Sequence, residues 1–208
     1  MPIHAVLTGD IVNSTRLLPA TEKELVKELG KILRPYKFEF YRGDSFQVYM
    51  KDPVKSMQVA LLCRTAAISM TAGQNDTSLS DVRISIGLGP VKAPVKALST
   101  SKGDAFIMSG RSFDEIQGTE RRLMMITGKA VPDIALQVIA DYTDAVYRRM
   151  TSKQAEAIYR LLKGETQQDT AQILDKSKST ISQLVSTGGW PEIERLLRQF
   201  ENLIKQLI

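Results

Sequence analysis

Two acidic turns carry the most specific chemistry in this chain. Gly9-Asp10-Ile11 follows the apolar run Ile3 to Leu7, and Arg42-Gly43-Asp44-Ser45-Phe46-Gln47 leads into the run Phe46 to Met50. If those runs are neighbouring strands, Asp10 and Asp44 meet at one rim of a sheet. A carboxylate pair there is a ligand set for a hard divalent cation, Mg²⁺ or Mn²⁺. The plain alternative is that each Asp only stabilises its own turn, because an Asp side chain readily bonds the backbone two residues on. The chain has a single Cys, Cys63, and a single His, His4, which excludes a structural zinc and a disulfide framework. Cys63 lies in the apolar stretch Met57 to Met70 without a nearby His or cationic cluster to activate it, and reads as packing. His4 reads as a packed or exposed polar residue rather than a base.

The bulk numbers bound the partners. A chain of 208 residues, 43% of them apolar, can build one substantial domain and a small one. The net charge of +5 and pI near 9.3 permit a polyanionic partner. The excess is diffuse, however: residues 151 to 208 hold 8 Lys+Arg against 7 Asp+Glu. No run reaches the length of a membrane span and the N-terminus lacks a basic, then apolar, leader, so a soluble cytoplasmic protein without membrane contact is expected.

The elements that must position the acidic turns follow from periodicity. A strand over Ile3 to Leu7 precedes a helix whose apolar positions Leu25, Leu29, Ile32 and Leu33 recur at helical spacing, with Thr21 and Glu24 as a capping box and Pro35 as its stop. Alternating runs on either side of Arg42-Gly43-Asp44 predict a hairpin. Asp52-Pro53 predicts the start of a second helix. A polar loop over Gly73 to Ser80, a strand over Val82 to Leu88, a third helix from Ser101-Lys102-Gly103-Asp104 through Ile116, and a strand over Leu123 to Ile126 complete the first part. That order predicts an α+β, ferredoxin-like (split βαβ) fold over residues 1–130, with its helices on one face of a mainly antiparallel sheet. Residues 131–150 read as a connecting helix with Ile134, Leu136, Val138, Ile139, Val146 and Met150 largely on one side.

Residues 151–208 have a different grammar. Thr151 and Thr166 cap two helices, and the turn Asp175-Lys176-Ser177 leads into a third over Lys178 to Val185. Three short helices with a three-residue turn between the last two describe a helix-turn-helix domain. Its recognition helix would present Lys178, Ser179, Thr180, Ser182 and Gln183 to DNA, with Ile181, Leu184 and Val185 facing inward. Asp175 stands where such turns usually place Gly, and Asp is among the residues best able to take a positive φ. A small helical module that binds protein is the alternative. A final amphipathic helix, Ile193 to Ile208, either covers this module or pairs with another subunit. A near-neutral DNA reader binds weakly as a monomer, which favours a homodimer on two half-sites.

The segments Gly9 to Ser14, Arg42 to Gln47, and Lys102-Gly103-Asp104-Ala105-Phe106 with Arg111, followed by the helical tail, resemble the SatD family over nearly the whole chain. The first three also resemble, more distantly, the palm domain of class III nucleotidyl cyclases. That resemblance implies Asp10 and Asp44 as ligands of divalent ions, with the Ile11 carbonyl as an additional ligand, and a palm that dimerises across the open face of its sheet. The cyclases' transition-state Asn and Arg fall on Ile107 and Arg111, so only the arginine, the one candidate catalytic residue, is present. Their base-reading Lys and Asp fall on Phe40 and Thr100. An isoleucine cannot replace a hydrogen-bonding amide, which weighs against efficient cyclisation. Nucleotide or anion binding stays open, since Arg42, Lys102 and Arg111 beside two carboxylates suit a metal-bound phosphate. Arg111 could equally pair along its helix with Asp114 or Glu115. The sequence therefore supports a DNA-binding regulator with a degenerate cyclase-like domain, a metal-dependent nucleotidyl cyclase, or a protein-interaction adaptor.

Overall fold

The computed structural model describes residues 2–71, 78–92 and 94–207. Strands β1 (Ile3–Ile11), β2 (Lys37–Tyr41), β3 (Ser45–Met50), β4 (Val82–Pro90) and β5 (Leu123–Ile126) form one sheet in the order β2-β3-β1-β4-β5. The first four are antiparallel to their neighbours, and β5 pairs parallel with β4. Helices α1 (Pro19–Leu33) and α2 (Ser56–Met70) join β1 to β2 and β3 to β4 as two interleaved split units. Part of the polar loop expected over Gly73 to Ser80 lies outside the described residues. Among those described, no helix is long and apolar enough to cross a membrane.

Strand alternation separates two faces. Ala5, Leu7, Ile11, Phe46, Val48, Met50, Ile84 and Ile86 point into the main core with α1 and α2, while Val6 and Tyr49 pack with Ala105 and Phe106 of α3 (Asp104–Ile116). The helices therefore do not share one face, as the element order predicts; α3 lies on the opposite one. It approaches β4 so closely that a Cβ on Gly87 would sit 2.2 Å from the Ala105 carbonyl oxygen. Ser85 Oγ donates to the Ser109 carbonyl at 2.5 Å, and Thr8 Oγ1 and Ser109 Oγ share a bond of 2.8 Å. The crossover from β4 to β5 steps along the sheet in the same direction as that from β3 to β4 but returns over the other side. The two crossovers thus have opposite hands, and the usual uniformity of hand is broken here.

Other boundaries shift for local reasons. Helix α1 starts at Pro19, whose fixed φ suits the first helical position, and Thr21 forms no cap. Asp52 does cap, accepting a bond from Val54 N, but a single 3₁₀ turn over Pro53–Lys55 precedes α2. In α4 (Ala130–Tyr147) the apolar positions split: Leu136 and Ile139 are buried, while Ile134 and Val138, four apart on the other side, remain 67% and 65% exposed.

Helices α5 (Ser152–Leu162), α6 (Gln167–Ile173), α7 (Lys178–Thr187) and α8 (Trp190–Leu207) follow. Thr151 and Thr166 each form complete capping boxes, with Gln154 and Asp169. Helix α5 docks on α2, with Gln58 Nε2 donating to the Leu162 carbonyl at 2.8 Å, and reaches α1 through Tyr159 Oη, which donates to Glu28 Oε1 at 2.7 Å. Ile158 and Leu162 join the same core as the sheet, each side chain contributing about 2 kcal/mol by burial. Helix α8 turns Ile193, Phe200 and Ile204 into that core and ties back to the Pro53–Lys55 turn through Lys55 and Glu201, 2.8 Å apart.

Candidate functional site

Strand register brings the two acidic turns together. Tyr41 pairs with Ser45, leaving Arg42-Gly43-Asp44 as a three-residue loop in which Arg42 and Gly43 both take positive φ, 52° and 91°. Asp10 pairs with Ser45 across β1 and β3, and Ile11 N donates to the Asp44 carbonyl at 3.1 Å. The Asp44 carboxylate accepts bonds from Ser14 Oγ at 2.7 Å and Ser45 Oγ at 3.3 Å.

Asp10 sits in a more demanding environment. On its other side it pairs in register with Arg83 of β4, whose Nη1 lies 3.4 Å from Oδ2. Its Oδ1 is buried and makes no hydrogen bond, as is also true of Arg83 Nε. Burial raises the Asp10 pKa above the usual carboxylate value, opposed by Arg83 and assisted by the charge of Asp44. Arg83 is a site residue that motif reasoning passed over, and Ser14, inside the segment Gly9 to Ser14, was given no role by it. An arginine inside the otherwise apolar strand Val82-Arg83-Ile84 was the available signal.

Two carboxylates suit a hard cation that keeps water or phosphate in its remaining positions, and the unpartnered Asp10 Oδ1 is a free donor for it. Among the described residues no cluster of three or more His, Cys, Asp or Glu offers a fuller cage. On the same sheet face a cleft of about 420 Å³ opens beside Ser45, lined by Thr8, Tyr41, Gln47, Leu98, Phe106 and Phe113.

The other expected phosphate ligands are dispersed. Arg42 is exposed on the hairpin tip and Lys102 precedes α3. In α3, Ala105, Ser109, Ser112 and Ile116 face the sheet, which at 100° per residue turns Arg111 and the half-exposed Ile107 away from it. A single chain thus does not bring Arg111 to Asp10 and Asp44. Nor does Arg111 form an ion pair with Asp114 or Glu115. Phe40 packs edge-on against Phe46 on the α1–α2 side, and Thr100 is exposed in a 3₁₀ turn. His4 lies half-buried against Tyr49, and burial pushes the Cys63 thiol far up, as packing residues require.

A second polar constellation lies on α7. Ser177 caps it, accepting a bond from Thr180 N, and Asp175 takes φ 50° in the turn before it. Lys176 N closes on the Ala171 carbonyl at 2.9 Å, so α6 ends abruptly. Ile181 and Val185 are buried, while Lys178, Ser179, Thr180, Ser182 and Gln183 are all exposed.

No family model matches the chain, and no curated protein matches it. Among solved structures, a bacterial light-regulated adenylyl cyclase is similar over 59% of this chain and 74% of its own, at 14% identity and a TM-score of 0.41. Adenylate cyclases from Trypanosoma brucei, described in their monomeric state, are similar over 60% and 73%, at 13% identity and a TM-score of 0.43. Similarity at this level carries no argument about activity.

Proposed function

We propose that the protein is a DNA-binding regulator in which a helix-turn-helix, α6 and α7, is carried by a cyclase-like palm that forms a homodimer. The observation behind this reading is the division of α7: five polar side chains on its first two turns are exposed, while Ile181 and Val185 fix it to its neighbours. Serine and threonine hydroxyls, a lysine and a glutamine are suited to phosphates and base edges in the major groove. A tail with 8 cations against 7 anions gains little from phosphate attraction alone, so two copies on two half-sites supply the affinity. The test is fluorescence anisotropy with DNA from the protein's own upstream region. The double variant Lys178→Ala, Gln183→Ala should weaken binding by about 30-fold or more, given ~1–3 kcal/mol per base contact, with the dimer intact by light scattering. Unchanged affinity would remove the reading.

The unpartnered Asp10 Oδ1 favours a second role for the palm, sensing a metal-bound nucleotide. Asp10, Asp44 and the Ile11 carbonyl would hold Mg²⁺ or Mn²⁺, and the cation would neutralise a bound triphosphate. Arg42 and Lys102 would meet the phosphates, while Arg111 would have to act from a second copy. With Ile107, Phe40 and Thr100 at the ribose- and base-reading positions, binding without efficient cyclisation is the function proposed.

A further inference from the structure

Three arginines converge where α4 passes the chain to α5, and neither reading above uses them. Arg122 comes from the segment entering β5, and Arg148 and Arg149 from the end of α4. With Asn13, Tyr147 and Thr151 they line a cleft of about 300 Å³. One carboxylate, Asp81, also reaches this cleft, but Arg64 already holds it through Nη2 at 2.8 Å and Nε at 3.1 Å. Arg148 lies 3.5 Å from Glu120 in a pair whose side chains are 62% and 88% exposed, an arrangement that water and salt leave weak. Arg149 is exposed and has no ion-pair partner among the described residues. The Arg122 side chain uses only Nη1, which donates to the Thr119 and Arg121 carbonyls at 2.8 and 3.1 Å.

Planar guanidinium forks match the oxygens of a phosphate, which also carries more charge than a carboxylate. The volume is at the lower end for small-molecule sites and suits a phosphorylated metabolite rather than a macromolecule.

We infer that this cleft binds a phosphate group, free or as a small phosphate monoester, held by Arg122, Arg148 and Arg149. Neither Asp10 nor Asp44 lines this cleft, although the Arg122 charge acts on the Asp10 carboxyl, and the site does not rest on either role proposed for that pair or for α7. Titration calorimetry and thermal unfolding of the full chain with inorganic phosphate and with adenosine 5′-monophosphate test it, using sodium chloride at matched ionic strength as control. Saturable binding is expected, weakened about tenfold or more by Arg149→Gln, which removes a charged donor. Arg149 is exposed, so that variant should unfold at the wild-type temperature without ligand. Tighter binding of the monoester identifies a phosphorylated metabolite, whereas equal binding identifies free phosphate, and both support the site. Stabilisation no greater than that by chloride, an unchanged constant in Arg149→Gln, or loss of binding in Asp44→Ala would overturn it.

Discussion

Replacing Arg64 by Met isolates the energetics of the charge network beneath β4. Arg64 is 1% exposed and makes three charged hydrogen bonds: to Asp144 Oδ1 at 2.6 Å and to Asp81 at 2.8 and 3.1 Å. Methionine replaces much of the stem but leaves Asp144, 5% exposed, without its cation. Removing one partner of a buried pair costs ~3–5 kcal/mol. Two features hold the cost to the lower part of that range. Asp144 Oδ2 keeps bonds from Arg122 N at 2.9 Å and Leu123 N at 3.3 Å, and Asp81, with a side chain 19% exposed, can rehydrate. The expected loss is about 3–4 kcal/mol, which for a chain of this size lowers the unfolding midpoint by about 6–16 °C, at ~2–4 °C per kcal/mol. Urea unfolding followed by circular dichroism measures the same quantity, with an unchanged slope if only the native state is affected. The double variant Arg64→Met, Asp144→Asn keeps a carbonyl acceptor for both backbone donors yet buries no charge, so it should be more stable than Arg64→Met alone. A single-variant loss below about 1 kcal/mol, far under the cost of stranding a buried charge, or a double variant no more stable than the single, refutes the reasoning.

Three further outcomes are expected. Gly87→Ala should cost ~1–3 kcal/mol by overpacking, because its Cβ would meet backbone of α3 at 2.2 and 2.6 Å. Gly110→Ala in the same helix, with nothing within 4 Å of the added carbon, should instead gain ~0.5–1 kcal/mol in the same urea titration. Mn²⁺ with a nucleoside triphosphate should raise the unfolding midpoint of the wild-type chain and not of Asp44→Ala, by selective binding to the native state; equal shifts would remove the metal-bound nucleotide from the palm's role.

Local patterns were legible where short-range chemistry decides. The hairpin followed from alternation around Arg42-Gly43-Asp44, and the adjacency of Asp10 and Asp44 followed from placing the two runs side by side. The positive φ of Asp175 was readable because so few side chains tolerate it. Long-range pairings were not legible. Arg64 lies in a run of apolar helix residues, and its partner Asp144 is 80 positions away. The face chosen by α3 was missed because element order alone was read as placing every helix over one face of the sheet. Ser85, Gly87 and Gly89, small residues at alternate positions of β4, marked a strand that another backbone approaches closely. Arg111 shows the limit of motif spacing: four residues from Ile107 places both on one side of a helix, but only the packing of Ala105 and Ser109 fixes where that side points.

The continuous core has a consequence for how this chain can change over time. Eleven of the fifteen residues of α2 are buried, because the sheet and α1 flank it and α5 closes it from the tail. A recombination joint placed near residue 150 would strip that cover and expose an apolar helix, so the helical tail cannot be inherited as an interchangeable cassette. Substitutions at Ile158 or Leu162 must instead be matched within α2, and the two halves of the chain should share one lineage even where their outputs differ.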